Sequence, residues 1–132
     1  MTKQVKQVIV IRTDLKNTKG DKVRTGKLIA QACHASVGFL TQRLKDQGKG
    51  AIFSEVEWEW ISGIYTKVCV KINNEEELVK IHLNANLHGI YSHLIIDKGL
   101  TEFGGIPTMT CCGIGPDYSD KIDEITGHLD LY

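Results

Sequence analysis

The feature that most constrains the fold is a change of hydrophobic period close to the start of the chain. Residues 7–12 (QVIVIR) form a short run of β-branched apolar side chains, which is typical of a buried strand. From Gly26 to about residue 46 the apolar positions instead recur at the spacing of one helical face. The members of this stripe are Leu28, Ala32, Ala35 and Phe39. The sequence therefore predicts a strand and a long amphipathic helix, joined by a polar loop over residues 14–25.

Strands and helices continue to alternate along the rest of the sequence. Period-two alternation over residues 66–72 predicts a second strand. Asn74 and Glu77 resemble a capping box, which predicts a second helix that ends near Gly89. The remaining predicted elements are strands over 90–97 and 108–114 and a short helix over 120–126. Residues 48–63 give no clear pattern.

The order of these elements predicts the fold class. Strands joined by helices favour parallel pairing, whereas the third and fourth predicted strands follow one another without a full helix between them. We therefore expect an α/β fold in which helices cover a small mixed sheet. The length of 132 residues is close to the modal size of one domain, so residues 1–132 are predicted to form a single domain.

Apolar runs and cysteine spacing exclude several classes of protein. No apolar run approaches the roughly 20 residues that cross a bilayer. The basic start of the chain is followed by a short apolar stretch over 8–11, too short for a secretory signal. We expect no membrane partner and a cytoplasmic location. The cysteines lack paired or zinc-like spacing, so free buried thiols are predicted, with no disulfide and no metal. They are Cys33, Cys69, Cys111 and Cys112.

Charge is balanced overall but unevenly distributed. The formal net charge is zero and the isoelectric point is about 6.9, so no global basic field indicates a nucleic acid. Basic residues nevertheless cluster just before and at the start of the first helix, with Asp21 opposing them. They are Lys16, Lys19, Lys22, Arg24 and Lys27. Because RNA binding needs only a local basic patch, this distribution permits an RNA partner without favouring one. We expect no DNA partner.

Lys27, Gln31 and His34 form the first candidate site. Their spacing places them on one polar stripe beside the apolar one, starting in the first turn of the helix. Lys27 is a cation at a helix N-terminus, where the helix dipole makes positive charge unfavourable. Residues that are locally unfavourable in this way are enriched at functional sites. The alternative is an ordinary solvated helix face, which the pattern alone favours.

The segment after the third predicted strand is the second candidate site. Ligands of open α/β sheets bind outside the carboxyl ends of strands, and Asp97 and Thr101 lie there. A carboxylate and a hydroxyl beside a flexible Gly99 suit the orientation of a water molecule. A plain turn is an equal alternative, since Asp and Gly are common in turns. Glycines at 104–105 and 113–115 permit close approach of a ligand but lack the spacing of a nucleotide-binding loop.

Five segments, in this order, resemble the type 2 peptidyl-tRNA hydrolase family. They are QVIVIRTDL over 7–15, GKLIAQACHASVG over 26–38, LIIDKGLT over 94–101, PTMTCCGIGP over 107–116 and IDEITGHLDLY over 122–132. The resemblance covers nearly the whole chain and is weakest over 43–64. It implies a three-layer α/β/α sandwich with a small mixed sheet of about four strands, usually a homodimer. It also implies hydrolysis of peptidyl-tRNA without a metal or organic cofactor.

The resemblance assigns roles to individual residues. The predicted catalytic residues are Lys27, His34, Asp97 and Thr101. Thr108 and Thr110 match threonines of the family and are predicted to bind substrate. Apart from the resemblance, Gln31 of the polar helix stripe is also predicted to bind substrate, as are the basic residues Lys19, Lys22, Arg24 and Lys98, which would contact phosphates. Leu100 and Glu102 stand where the family commonly has arginine and glutamine. We expect these two departures to affect the choice of substrate more than the chemistry.

The reaction implied is hydrolysis of the ester that joins a peptide, or an N-blocked aminoacyl group, to tRNA. Free tRNA is released, as translation quality control and ribosome rescue require. Asp97, alone or with His34, would orient or deprotonate the attacking water, and Lys27 would stabilise the developing negative charge. Thr101 would position the water or the carbonyl. Two alternatives are a non-catalytic RNA- or protein-binding module with the same fold and a thiol-dependent enzyme.

Overall fold

The computed structural model describes residues 3–132, which form four strands and four α-helices. In chain order they are β1 (Val5–Arg12), α1 (Thr25–Gln47), α2 (Glu55–Ser62), β2 (Lys67–Ile72), α3 (Glu75–Leu87), β3 (Ser92–Asp97), β4 (Thr108–Tyr118) and α4 (Ser119–Thr126). Every element expected from periodicity is present. The helix α2 is an addition, and β4 continues past the predicted end at residue 114.

The sheet is mixed and four-stranded, as predicted, with the order β2-β1-β4-β3. β1 and β2 are parallel, and Arg12 lies opposite Ile72. β4 runs antiparallel to both β1 and β3, and Thr108 lies opposite Asp97. β3 is therefore parallel to β1 and β2, so these three strands end at the same side of the sheet. We call this side the carboxyl edge.

Alternating side chains of the sheet face two hydrophobic cores. Val10 lies in the core formed with α3 and α4, whereas Ile11 lies in the core formed with α1. Cys112 and Cys111 divide in the same way, as expected for neighbours on a strand. Helices therefore cover both faces of the sheet, and the predicted three-layer α/β/α sandwich is confirmed.

Gly113 of β4 allows α1 to lie very close to the sheet. A Cβ atom at this position would stand 2.2 Å from the backbone oxygen of Ala35. In the sequence, the glycines at 113–115 permit the close approach of a ligand, but at Gly113 the group that approaches is a helix backbone. The space that the missing side chain leaves is filled by the backbone of the protein's own helix.

The segment 48–63, which has no clear sequence pattern, contains α2. Ser54 and Glu57 form a capping box, in which the Ser54 side chain accepts from the Glu57 amide and the Glu57 side chain accepts from the Ser54 amide. Arg43 of α1 donates to both carboxylate oxygens of Glu57, each at 2.9 Å. One carboxylate therefore caps α2 and also fastens it to α1.

The two tryptophans of α2 have different environments. Trp60 is buried edge-on against Phe39, with ring centroids 5.7 Å apart, and its indole N–H donates to the backbone oxygen of Thr66 at 2.7 Å. Trp58 is 59% exposed. Trp60 is therefore a core residue, and Trp58 is not.

The four cysteines are free thiols, but only two of them are buried. Cys111 and Cys112 lie in the cores, whereas Cys33 and Cys69 are exposed. The prediction that all four are buried is wrong because an open groove separates α1 from β2, and both exposed thiols border it. Within residues 3–132, no three or more His, Cys, Asp or Glu side chains gather as metal ligands would. None of the helices described is long and apolar enough to span a bilayer.

Candidate active site

The start of α1 and the end of β3 meet at the carboxyl edge. Nζ of Lys27 lies 2.9 Å from Oδ1 of Asp97 and 3.1 Å from the hydroxyl oxygen of Thr101. The side chains of Lys27 and Asp97 are 11% and 15% exposed. The two candidate segments therefore form a single site, and Lys27 is not part of an ordinary solvated helix face.

Three donors hold the carboxylate of Asp97. Lys27 and the amide nitrogen of Gln31 donate to Oδ1, the latter at 3.2 Å, and the backbone amide of Gly99 donates to Oδ2 at 2.9 Å. Burial acts to raise the pKa of Asp97, but these hydrogen bonds and the charge of Lys27 outweigh it and lower the pKa below its usual value. Asp97 is therefore an ionised carboxylate at neutral pH.

Gly99 holds the turn after β3 in a conformation that other residues rarely adopt. Its φ is +79°, and a Cβ atom would stand 2.3 Å from the backbone oxygen of Ile106. Its own carbonyl accepts from the amide of Gly105 at 2.7 Å. The turn at Gly99 therefore packs against the segment that leads into β4.

Gln31 and Thr110 lie behind Asp97, and they are 2% and 1% exposed. The hydroxyl of Thr110 donates to the amide oxygen of Gln31 at 2.6 Å, so the amide nitrogen of Gln31 is the end that faces Asp97. The sequence analysis predicts both residues as substrate-binding. In the structure both are buried, and Gln31 donates to the Asp97 carboxylate.

An open cleft of about 330 Å³ lies beside these groups. It is bordered by Lys27, Gln31, His34, Ile95, Ile96, Asp97, Lys98, Leu100 and Thr101. His34, Lys98 and Thr101 are exposed, so the four predicted catalytic residues and one predicted phosphate contact share one opening. Phe103 packs below, with its ring centroid 5.7 Å from Nζ of Lys27. The sequence around Phe103 carries no signal of this contact.

The other predicted substrate-binding residues lie outside this cleft. Arg24 forms an ion pair with Glu102, and its backbone amide also donates to that carboxylate at 3.3 Å. Lys19 and Lys22 are exposed on the loop before α1. Thr108 donates to a carbonyl of its own turn. Glu102, one of the two departures from the family pattern, therefore fastens the start of α1 to the turn that carries Thr101.

The buried thiols are poorly placed for a thiol-dependent reaction. Burial raises the pKa of Cys111 to about 12 and raises that of Cys112 further. Neither thiol is therefore ionised near neutral pH. No cysteine among the described residues borders the cleft, and the exposed Cys33 faces the groove on the other side of α1.

Known proteins are similar to this chain over nearly its whole length. The sequence matches the family described as peptidyl-tRNA hydrolase PTH2 over residues 5–132. It is 42% identical over 129 residues to a peptidyl-tRNA hydrolase of Methanothermobacter thermautotrophicus, covering 96% of this chain and 99% of that one. It is 43% identical over 126 residues to a peptidyl-tRNA hydrolase of Methanopyrus kandleri, covering 96% and 97%. A probable peptidyl-tRNA hydrolase 2 of Dictyostelium discoideum is 40% identical over 129 residues, which are 96% of this chain and 54% of that protein. The chain therefore belongs to the peptidyl-tRNA hydrolase PTH2 family.

Proposed function

We propose that this protein hydrolyses the ester between a peptide, or an N-blocked aminoacyl group, and the 3′ ribose of tRNA. Family membership and the full-length relatives support the activity. The observation that carries the site is the contact of the Lys27 ammonium with Asp97 and Thr101 at the mouth of an open cleft. In the reaction, a water oxygen bonds to the ester carbonyl carbon, the bond to the ribose oxygen breaks, and that oxygen leaves with a proton.

Lys27 stabilises the negative charge that develops on the carbonyl oxygen. An ammonium has three N–H donors, and among the described residues Asp97 and Thr101 accept from two of them. The third is available to a substrate oxygen. Because the Lys27 side chain is mostly buried, its charge is poorly screened, and such stabilisation is worth roughly 3–4 kcal/mol.

Thr101 orients the substrate carbonyl. Its oxygen accepts from Lys27, so its own O–H is turned away from the ammonium and can donate to the substrate. Thr101 is exposed at the cleft, as a direct contact requires. A hydroxyl and an ammonium would then both point at the same carbonyl oxygen.

Asp97 orients the attacking water, and His34 accepts its proton. A carboxylate offers about four acceptor positions, and three donors occupy Asp97, so one position remains for a water hydrogen. The lowered pKa makes Asp97 a weak base. An imidazole is better matched to proton transfer near neutral pH, and His34 borders the same cleft. General-base assistance of this kind typically contributes about 10²–10⁴-fold.

Basic side chains around the cleft bind the tRNA backbone. Lys98 borders the cleft and is exposed, and Lys19 and Lys22 are exposed on the preceding loop. Each lysine that neutralises a phosphate contributes to affinity by counterion release. Arg24 is the exception, because its guanidinium is held by Glu102 and is better suited to fix the loop than to bind phosphate.

We also propose that the protein is a homodimer in which the second copy covers the groove between α1 and β2. This groove of about 760 Å³ is bordered mostly by apolar side chains, including the exposed Ile29 and Val37. Light scattering should give a dimer for the wild type and a monomer for an Ile29→Glu, Val37→Glu variant. A cytoplasmic location and a role in translation quality control and ribosome rescue remain predictions.

The decisive experiment is turnover of a peptidyl-tRNA by the purified protein. N-acetylaminoacyl-tRNA labelled in the acyl group should release the labelled acid and intact tRNA, at a rate proportional to enzyme concentration. A non-catalytic module would bind tRNA in a salt-sensitive manner and leave the ester intact even at stoichiometric enzyme. That result would refute the proposed function.

A further inference from the structure

Three clefts open side by side along the carboxyl edge. The first is the active-site cleft at the end of β3. The second, of about 290 Å³, lies where β1 ends and β4 begins, and Arg12, Lys16 and Thr108 border it. The third, of about 530 Å³, lies where β1 and β2 end, and Thr13 and Lys71 border it. We call the third one the distal cleft.

The distal cleft has the position of a ligand site in an α/β sheet. β1 and β2 are adjacent and parallel, so both strands end at this point of the carboxyl edge. Ligands of open α/β sheets bind outside the carboxyl ends of strands, and the distal cleft lies outside the ends of β1 and β2. The active-site cleft lies at the end of β3 instead.

The side chains around the distal cleft suit a nucleotide. Lys22 and Lys71 supply positive charge, and His128 and Tyr132 supply ring faces on which a base can stack. The segment that carries the two rings is tied to β2. The amide of Lys71 donates to the carbonyl of Asp130 at 3.0 Å, and the amide of Tyr132 donates to the carbonyl of Cys69 at 3.1 Å.

Two carboxylates, Glu77 and Asp130, also border the distal cleft. They disfavour the binding of a bare inorganic anion, because their negative charges offset the positive charges of the two lysines. A nucleotide, in contrast, has ribose hydroxyls and base amino groups that donate to carboxylates, together with one phosphate for the lysines. The mixture of charges therefore favours a nucleotide over free phosphate.

We propose that the distal cleft binds a nucleotide of the tRNA acceptor strand, upstream of the esterified nucleotide, and that the strand runs along the carboxyl edge from β3 to β2. This proposal rests on the proposed function, which places the 3′ ribose at Asp97. Three strand spacings of about 4.8 Å separate β3 from β2, or roughly 14 Å. At the rise of about 3.4 Å of a stacked strand, this distance corresponds to about four nucleotides. Arg12 and Lys16 lie between the two ends.

The test uses N-acetylaminoacyl esters of adenosine, of a 3′-terminal hexanucleotide and of whole tRNA. Lys71→Ala should lower kcat/KM about fivefold to tenfold on the hexanucleotide and tRNA esters. It should also make the slope of log kcat/KM against log salt concentration, called the salt slope below, shallower by about 0.7–1. Tyr132→Leu should lower kcat/KM on the same esters at least about fivefold and leave the salt slope unchanged. Neither variant should alter kcat/KM on the adenosine ester, which is too short to reach the distal cleft.

Lys80→Ala is the matched control, since Lys80 is an exposed lysine of α3 that borders none of the three clefts. It should behave as the wild type on all three esters. Wild-type rates for both distal-cleft variants on the longer esters, or an equal loss on the adenosine ester, would overturn the proposal. If the wild type cleaves no ester, the proposed function fails, and tRNA affinity of Lys71→Ala and Lys80→Ala, measured by fluorescence polarisation, still decides the distal cleft.

Discussion

The hydroxyl of Thr110 donates to the amide oxygen of Gln31 across 2.6 Å, and this bond determines which end of Gln31 faces Asp97. With its oxygen engaged, the amide presents its nitrogen to the carboxylate and donates to it. If the amide turned over, its oxygen would face Asp97, and two acceptors would repel one another. A buried threonine of β4 thus sets the polarity of a contact at the cleft.

Thr110→Val should lower kcat by about tenfold and leave KM within about twofold, because it removes one buried hydrogen bond and no substrate contact. Thr110→Ser should restore most of the rate, since serine keeps the hydroxyl. Steady-state kinetics on N-acetylaminoacyl-tRNA measures both constants. A rise in KM at unchanged kcat would instead support the direct substrate contact that the resemblance predicts.

Lys27→Ala and Asp97→Ala should each lower turnover at least about tenfold, because each removes charge or orientation at the reacting atoms. Circular dichroism should show that both variants remain folded. Lys98→Ala is the comparison, as its exposed ammonium borders the same cleft, and it should raise KM without a large change in kcat. Wild-type turnover in both alanine variants would remove the assignment of the site.

His34→Gln should lower kcat by about 10²-fold or more, because glutamine cannot accept the proton of the attacking water. The pKa of Asp97 lies below the usual carboxyl value, so Asp97 is too weak a base to replace His34. Steady-state kinetics on N-acetylaminoacyl-tRNA measures the loss. A kcat equal to that of the wild type would show that another group accepts the proton.

Glu57→Gln should destabilise the protein at neutral pH by about 1–3 kcal/mol, because Arg43 loses its charged partner. Burial raises the pKa of Glu57, but the hydrogen bonds from Arg43 and Ser54 outweigh it, so the folded-state pKa is below its usual value. The stabilisation is thus present above the unfolded-state value of about 4.3 and is lost as the pH falls through the lower folded-state value. Urea unfolding from pH 7 to pH 3 should show the difference shrinking. Glu76→Gln, at an exposed position of α3, should show little difference at any pH.

Gly113→Ala should lower the free energy of unfolding by about 1–3 kcal/mol, because the added methyl group would meet the backbone of α1. The neighbour is a helix backbone, which cannot turn aside as a side chain can. Gly50→Ala is the control, since nothing lies within 4 Å of the added atom. Chemical denaturation measures both. Equal stability of the two variants would mean that α1 can move away from the sheet at little cost.

The sequence could predict the structure of residues whose contacts are mostly with near neighbours along the chain. β1 and α1 could be predicted because each buries apolar side chains that recur at a regular spacing. Lys27 and Asp97 could be expected to meet because both follow strands that end at one edge. In α2 the capping pair Ser54 and Glu57 is visible in the sequence, but the eight residues EVEWEWIS alternate Glu with apolar side chains and give no helical stripe to support it.

The parts that escaped prediction depend on contacts between distant segments. Gln31 looks like a surface residue in the sequence, and its burial depends on Thr110, which lies 79 positions further along the chain. Gly99 looks like a flexible turn residue, and its packing depends on the backbone of Ile106. No local sequence pattern indicates either contact. The sequence therefore predicted which segments form the site, but not the contacts that hold its side chains in place.

The place of β4 between β1 and β3 has a consequence during synthesis of the protein. β3 pairs with β4 and not with β1, so β3, which carries Asp97, joins the sheet only through residues 108–118. A ribosome-bound chain that has exposed only β1 to β3 therefore lacks the assembled cleft. The cleft can therefore assemble only late in synthesis, after most of the chain has left the ribosome.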